Sequence, residues 1–150
     1  MAITQAIANS FKKELLEGKH DFSAAGGDTF KLALYVSTAT LNSTTADYTA
    51  SGEVSPKNGQ YVTGGSALVN AGTSLTTGTA KVNFNTLSFT GVTLTAAGAL
   101  IYNTTTGAGS GTTDAVVILS FGGDKTATSG TFTIQFPPAT NSSAIIRISG

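Results

Sequence analysis

The chain reads as a mostly β protein: an antiparallel β-sandwich or small barrel of about seven or eight short strands, led by one N-terminal amphipathic α-helix. Three observations predict this. Only the stretch from Thr4 to Glu17 repeats apolar residues at helical spacing. Beyond residue 29 come short runs with apolar residues at alternate positions, rich in aromatic and β-branched side chains. Glycine, asparagine, serine and proline clusters separate those runs, and the helices that parallel crossovers would need are absent from the pattern. A length of 150 residues fits a single domain over residues 1–150, with the helix in 1–18 and the sandwich in 29–150.

The helix is predicted first. Thr4 is a candidate N-cap, and Ile3, Ile7, Phe11 and Leu15 recur every fourth residue along one face. Gly18 suits the C′ position, while Lys12, Lys13 and Lys19 sit where the helix dipole favours cations. The apolar stripe has to be buried on the protein's own sheet or on another molecule. Ile3, Ile7, Phe11 and Leu15 are therefore candidate partner-contact residues. His20 and Asp21 follow in a loop. With no nucleophile or further ligand nearby in the sequence, the pair reads as structural.

Residues 30–36 read as the first strand. Residues 37–54 are threonine, serine, asparagine and alanine with Leu41 and Tyr48 as isolated anchors. A long surface excursion is expected there, with a helical turn near Thr44 to Tyr48. Long loops of this kind are commonly functional, so Leu41 and Tyr48 join the candidate contact residues. Ser55-Pro56-Lys57-Asn58-Gly59 is a turn by its chemistry. Strands are then expected at Tyr61-Val62, at 66–69 and at 81–85, with a turn near Asn70-Ala71-Gly72. Further strands are expected at 86–89, 92–95 and 99–102, with a bend at Gly91 and an exposed loop over 104–113.

The apolar run 115–121 suits a central strand covered on both faces, and Gly122-Gly123-Asp124-Lys125 is expected to begin a connection. Residues 131–136 alternate again until Pro137-Pro138, which cannot donate to a ladder. Residues 144–148 form the predicted last strand.

Composition narrows the function classes. There is no cysteine, which excludes disulfides, zinc-thiolate sites and thiol nucleophiles. Charged residues are 11% of the chain against a usual ~25%, and Lys+Arg equals Asp+Glu. Such a neutral, hydroxyl-rich surface has no field to attract nucleic acid or an anionic membrane, so neither is an expected partner. It also offers little electrostatic protection against association, which favours a homo-oligomer or an assembled particle. No apolar run approaches the ~18 residues of a membrane-spanning helix. The N-terminus lacks the order of a secretion signal, so synthesis in a cytoplasm is expected.

Catalysis is not expected. Every Ser-His arrangement would depend on the single His20, and the acids fall mostly in the helix or in predicted loops, where an inward carboxylate pair is not prepared. Gly107-Ala108-Gly109-Ser110-Gly111 lacks the lysine and the following helix of a phosphate loop. Asp21 and Asp28 lack the spacing of a calcium loop, so no metal and no cofactor is expected.

Several segments taken in order carry a family resemblance: Met1-Ala2-Ile3-Thr4-Gln5-Ala6-Ile7, Ser10-Phe11-Lys12, Glu14-Leu15-Leu16, His20-Asp21-Phe22 and residues 30–35. Residues 48–53, 98–103, 121–125 and 144–148 continue it, so that the set spans nearly the whole chain. In this ordered set the chain resembles a family of small structural proteins found among tailed bacteriophages. The resemblance implies a virion location after synthesis in the host cytoplasm and no catalytic residues. The major capsid protein or other virion subunits would be its partners. The role it favours is capsid decoration, that is, a cement protein binding and stabilising the shell. A tail, neck or head-fibre component present in few copies is the alternative within the virion. A carbohydrate-binding adhesion module is a third reading, for which Tyr48, Tyr61 and Tyr102 are the natural stacking platforms.

Overall fold

The computed structural model describes residues 2–56, 61–105 and 112–150. The turn expected over 55–59 lies partly outside these residues, and the glycine-rich tract 107–111 wholly so. In chain order the elements are β1 (Ala6–Ile7), α1 (Asn9–Leu16), β2 (Phe30–Tyr35), β3 (Ser66–Ala67), β4 (Asn70–Thr76), β5 (Thr79–Phe84), β6 (Leu87–Asn103), β7 (Asp114–Ile134) and β8 (Ile146–Ser149). They form two antiparallel sheets, ordered β1-β7-β6-β2-β3 and β4-β5-β8. The mostly β architecture with one N-terminal helix is the one the residue pattern predicts.

The helix is shorter than its apolar spacing implies. Ala6 and Ile7 pair instead with Ile118 and Val117 of β7, and Thr4 gives its N–H to the Leu41 carbonyl rather than capping a helix. The helix begins after Ala8, which makes no side-chain cap. A four-residue repeat in Ile3 and Ile7 is blind to an open strand edge, and that edge claims these backbone groups first. The other end behaves as predicted. Gly18, at φ +73°, is the C′ residue, with its N–H on the Leu15 carbonyl and that of Lys19 on the Glu14 carbonyl.

The centre of the large sheet is buried on both faces. In β2, Phe30, Leu32, Ala33, Leu34 and Tyr35 are fully buried, as are Leu100, Ile101 and Ile118 on its neighbours. One face meets the small sheet through rings: Phe22 stacks on Phe30 at 4.5 Å, and Phe84 of β5 sits 5.8 Å from Phe30. Ile3 and Leu41 pack on the other face, while residues 52–54 run beside β2 and 46–48 beside the start of β7. Ile3 bridges to Leu41 and fills the space above Gly98, where an added Cβ would lie 2.8 Å from its Cγ2. The segment expected to be a surface excursion is largely at the surface, with Ala39, Leu41 and Val54 as its buried residues. Its expected helical turn is absent too, because Asp47 pairs as a strand residue with Asp114.

The pieces predicted between Thr86 and Tyr102 are a single strand, β6, and those between 115 and 136 belong mostly to β7. Gly122-Gly123-Asp124-Lys125 begins no connection. Ser120 pairs with Gly98 and Lys125 with Ala96, so residues 121–124 bulge opposite Ala97 while both ladders continue. Turn-forming residues look alike in a bulge and in a reversal, and only the intact partner strand separates the two.

Elsewhere Tyr61-Val62 forms no strand, and the turn expected near Gly72 lies at Thr77-Gly78 instead, both residues having positive φ. At Gly72 itself the β4–β5 register merely shifts. The chain closes with β8 on β5, after Asn141 accepts a hydrogen bond from Lys81 Nζ at 2.7 Å and donates to the Thr76 carbonyl.

Candidate functional site

The six candidate contact residues go to different places. Phe11 is 1% exposed, packed on His20 and Phe22, and Leu41 is fully buried, so this chain itself covers both. Ile3 packs over Gly98 and lies outside the helix. Tyr48 is half-buried and stacks on Tyr102. Leu15 lines a hollow between α1 and the small sheet, and Ile7 lines a groove of about 660 Å³ beside β7. The exposed apolar residue of the helix is Leu16, on the face opposite Phe11 and 91% accessible.

Two polar clusters anchor the loop after β2 and the helix. All four tyrosines gather about Glu53, whose carboxylate accepts from the Tyr48 hydroxyl, from the Tyr61 hydroxyl at 2.7 Å and from the Gly64 N–H at 2.7 Å. Tyr61 in turn accepts the Leu34 N–H, Tyr35 donates to the Thr49 carbonyl and Tyr102 to the Gly64 carbonyl. Burial, reinforced by the charge of Glu53, pushes the Tyr35, Tyr48 and Tyr61 hydroxyls well above their ordinary range and Tyr102 up to about 12. Tyr61 and Tyr102 are 2% and 4% exposed, so neither offers an open ring face to a sugar.

The second cluster holds the only histidine. His20 is not paired with Asp21, which instead accepts from Ser23. Its Nε2 lies 2.8 Å from Glu14 Oε2, and Asn103 Nδ2, which also donates to Asp28 Oδ2, lies 3.0 Å from Nδ1. With Nδ1 accepting from the amide, the ring hydrogen sits on Nε2 and is given to Glu14. Both ring nitrogens are thereby engaged, and the histidine side chain is fully buried. The arrangement ties α1 to the end of β6 and leaves neither nitrogen facing a substrate. Among the described residues no group of three or more histidine or acidic side chains converges as metal ligands. No described helix is long and apolar enough to cross a membrane.

What the fold leaves open is an edge. On its outer side β7 pairs with residues 46–48 about Asp114 and with β1 at Val117 and Ile118, and among the described strands none follows beyond. One rung further, the Ser120 N–H meets a side chain, Gln5 Oε1 at 3.3 Å. Beside this edge, between the two sheets, lies a groove of about 660 Å³ with Ile7, Leu119, Phe121, Phe136 and Ile145 among its walls. A second hollow of about 530 Å³ continues it along β7 and shares Phe121, Ile134 and Gln135.

Sequence reasoning found Ile7 but missed Leu119, Phe121 and Ile145. Their signal was the apolar run 115–121 and the closing run 144–148, both read as strand interior. Comparisons of the chain with protein-family models, with curated proteins and with solved structures return no match.

Proposed function

We propose that this chain is a structural protein of a tailed-bacteriophage virion, a capsid decoration (cement) protein that binds the shell of major capsid protein and holds neighbouring subunits together. Its work is binding, with no reaction to catalyse. The ordered resemblance of its segments to small phage structural proteins supports this reading. So does the observation that carries it: an open sheet edge beside a groove lined by both apolar and hydroxyl or amide side chains, in a chain whose charges balance. Such a surface gains affinity from buried apolar area and backbone pairing, which salt screens little.

Mixing the purified protein with undecorated shells, sedimenting the particles and counting bound copies tests the reading. The expected result is saturable binding in fixed ratio to the capsid subunits, little changed by added salt. No binding, or only a handful of copies per particle, would end the cement reading, and the copy number in intact virions would then test a place in the tail, neck or fibre.

A further inference from the structure

The small sheet ends in a strand with an open outer side. Thr73, Ser74, Leu75 and Thr76 of β4 are all exposed, and Leu75 is 73% accessible. Thr77 and Gly78, at φ +48° and +76°, make the two-residue type I′ turn into β5, which leaves Thr76 and Thr79 as a hydrogen-bonded pair. Bonding alternates along an antiparallel ladder, so Ser74 and Lys81 are the next such pair. The N–H and C=O groups of Thr73 and Leu75 therefore point away from β5, and among the described residues no bond reaches them from that side. Sheet edges are usually blunted by charge, proline or a bulge. β7 has its bulge at residues 121–124 with Asp124 and Lys125 beside it, whereas β4 carries no charge and no proline, and its one irregularity comes before Thr73.

This edge is complementary to itself. With a second copy antiparallel and Ser74 on the twofold axis, Thr73 of each copy faces Leu75 of the other, and every outward N–H meets a carbonyl. Ser74 then meets its own copy at the close, non-hydrogen-bonded position, about 4.5 Å between Cα atoms. A charge there would face itself, but two serine hydroxyls bond each other. Gly72, opposite Thr76 of the other copy, brings no side chain. On the opposite face the two Leu75 side chains become diagonal neighbours. The apolar row Leu75-Ala80-Ile148, in which Ile148 is 56% exposed, runs on into Thr73, Val82 and Ile146 of the second copy. Lys81, beside Ser74, is buried and donates to Asn141, and its two copies lie three strand spacings apart, about 14 Å, beyond the screening length at physiological salt. Asp21, which lines a hollow together with Thr73, accepts from Ser23.

We infer that two copies of this chain join β4 to β4 about Ser74, fusing their small sheets into one six-stranded sheet in the order β8-β5-β4-β4-β5-β8. A strand of another protein would use the same backbone groups, but β4 has no charge with which to select one, while the second copy fits at every position from Gly72 to Thr76. Backbone pairing and the meeting of the two leucines supply the affinity, which salt screens little. The inference needs only this edge and does not rest on the virion reading.

The test is sedimentation equilibrium of the full chain over a concentration series, with amide hydrogen exchange at the two ends of that series. A monomer–dimer equilibrium is expected. The Thr73 and Leu75 amides should be protected at high concentration and exchange freely on dilution, while those of Ser74 and Thr76, bonded to β5, stay protected throughout. Ser74→Lys and Ser74→Asp should each weaken the dimer at least tenfold by setting like charges on the axis. An equimolar mixture of the two variants should restore it as a heterodimer, which misfolded chains would not do. A chain that stays monomeric at every concentration overturns the inference. So does an oligomer that neither charge disturbs, concentration-dependent protection confined to other residues, or a mixture of variants that stays monomeric.

Discussion

Alkaline pH should unfold this protein through its tyrosines. Tyr35, Tyr61 and Tyr102 are each no more than 4% exposed, and burial, with Glu53 close by, raises all three hydroxyls above their ordinary range. Unfolded tyrosine loses its proton near pH 10. A group whose folded pKa lies above its unfolded value gives its full stabilisation below the unfolded value and loses it as pH rises toward the folded one. Between about pH 10 and 12 each therefore removes about 1.4 kcal/mol of stability per pH unit, and the three together about 4 kcal/mol per unit. Tyr48, half-buried, is left out of that figure. Against a domain stability of about 5–15 kcal/mol, about one to four pH units suffice to unfold the chain.

The assay is urea denaturation at stepped pH, followed by far-ultraviolet circular dichroism and by tyrosinate absorbance, which is unobscured because the chain has no tryptophan. Tyrosinate should appear only as the strand signal collapses, in one cooperative step. Tyr102→Phe should reduce the slope by about 1.4 kcal/mol per pH unit, that being the linkage of one proton. Gradual ionisation of all the tyrosines near pH 10 with the strand signal intact would refute the reasoning, because the rings would then be titrating in water.

Other substitutions test the packing directly. Phe11→Ala, at a fully buried ring held between His20 and Phe22, should lose about 3–5 kcal/mol by urea midpoint; a change under about 0.5 would put the ring outside the core. Glu53→Ala strands the Tyr61 hydroxyl and the Gly64 N–H and should lose about 3 kcal/mol. Glu53→Gln should lose less, since an amide oxygen can still accept both of those donors, and equal losses would show that Glu53 acts through bulk alone. Leu16→Glu, on the exposed side of the helix, should stay within about 0.5 kcal/mol of the parent, and a larger loss in calorimetry would mean that this face packs in solution.

The parts of this fold legible in the sequence are those decided within a few residues. The aromatic and branched residues of β2, the alternation over 131–136, the glycine that ends α1 and the proline pair after β7 each act through local geometry. The misreadings share a cause. Ala6 and Ile7 carry a helical pattern but take the β7 edge, Gly122 and Gly123 look like a reversal but bulge, and Leu41 looks like an anchor in a loop but is buried in a bridge to Ile3. In each case a partner far along the chain, Ile118, Ala96 or Ile3, decides what the local residues leave open.

The candidate site divides the same way. Its apolar residues were visible only as strand interior. Residue types alone determined a neutral, cysteine-free, mostly β protein with a single amphipathic helix. Tertiary structure alone decided that the helix's best apolar residue lies inside, that the tyrosines share one carboxylate, and that β7 keeps a bare edge beside a groove. The physical reason is that propensity and spacing act over one turn or one strand. An unpaired edge is a property of which strands are not there, and it exists only once every other strand has found its place.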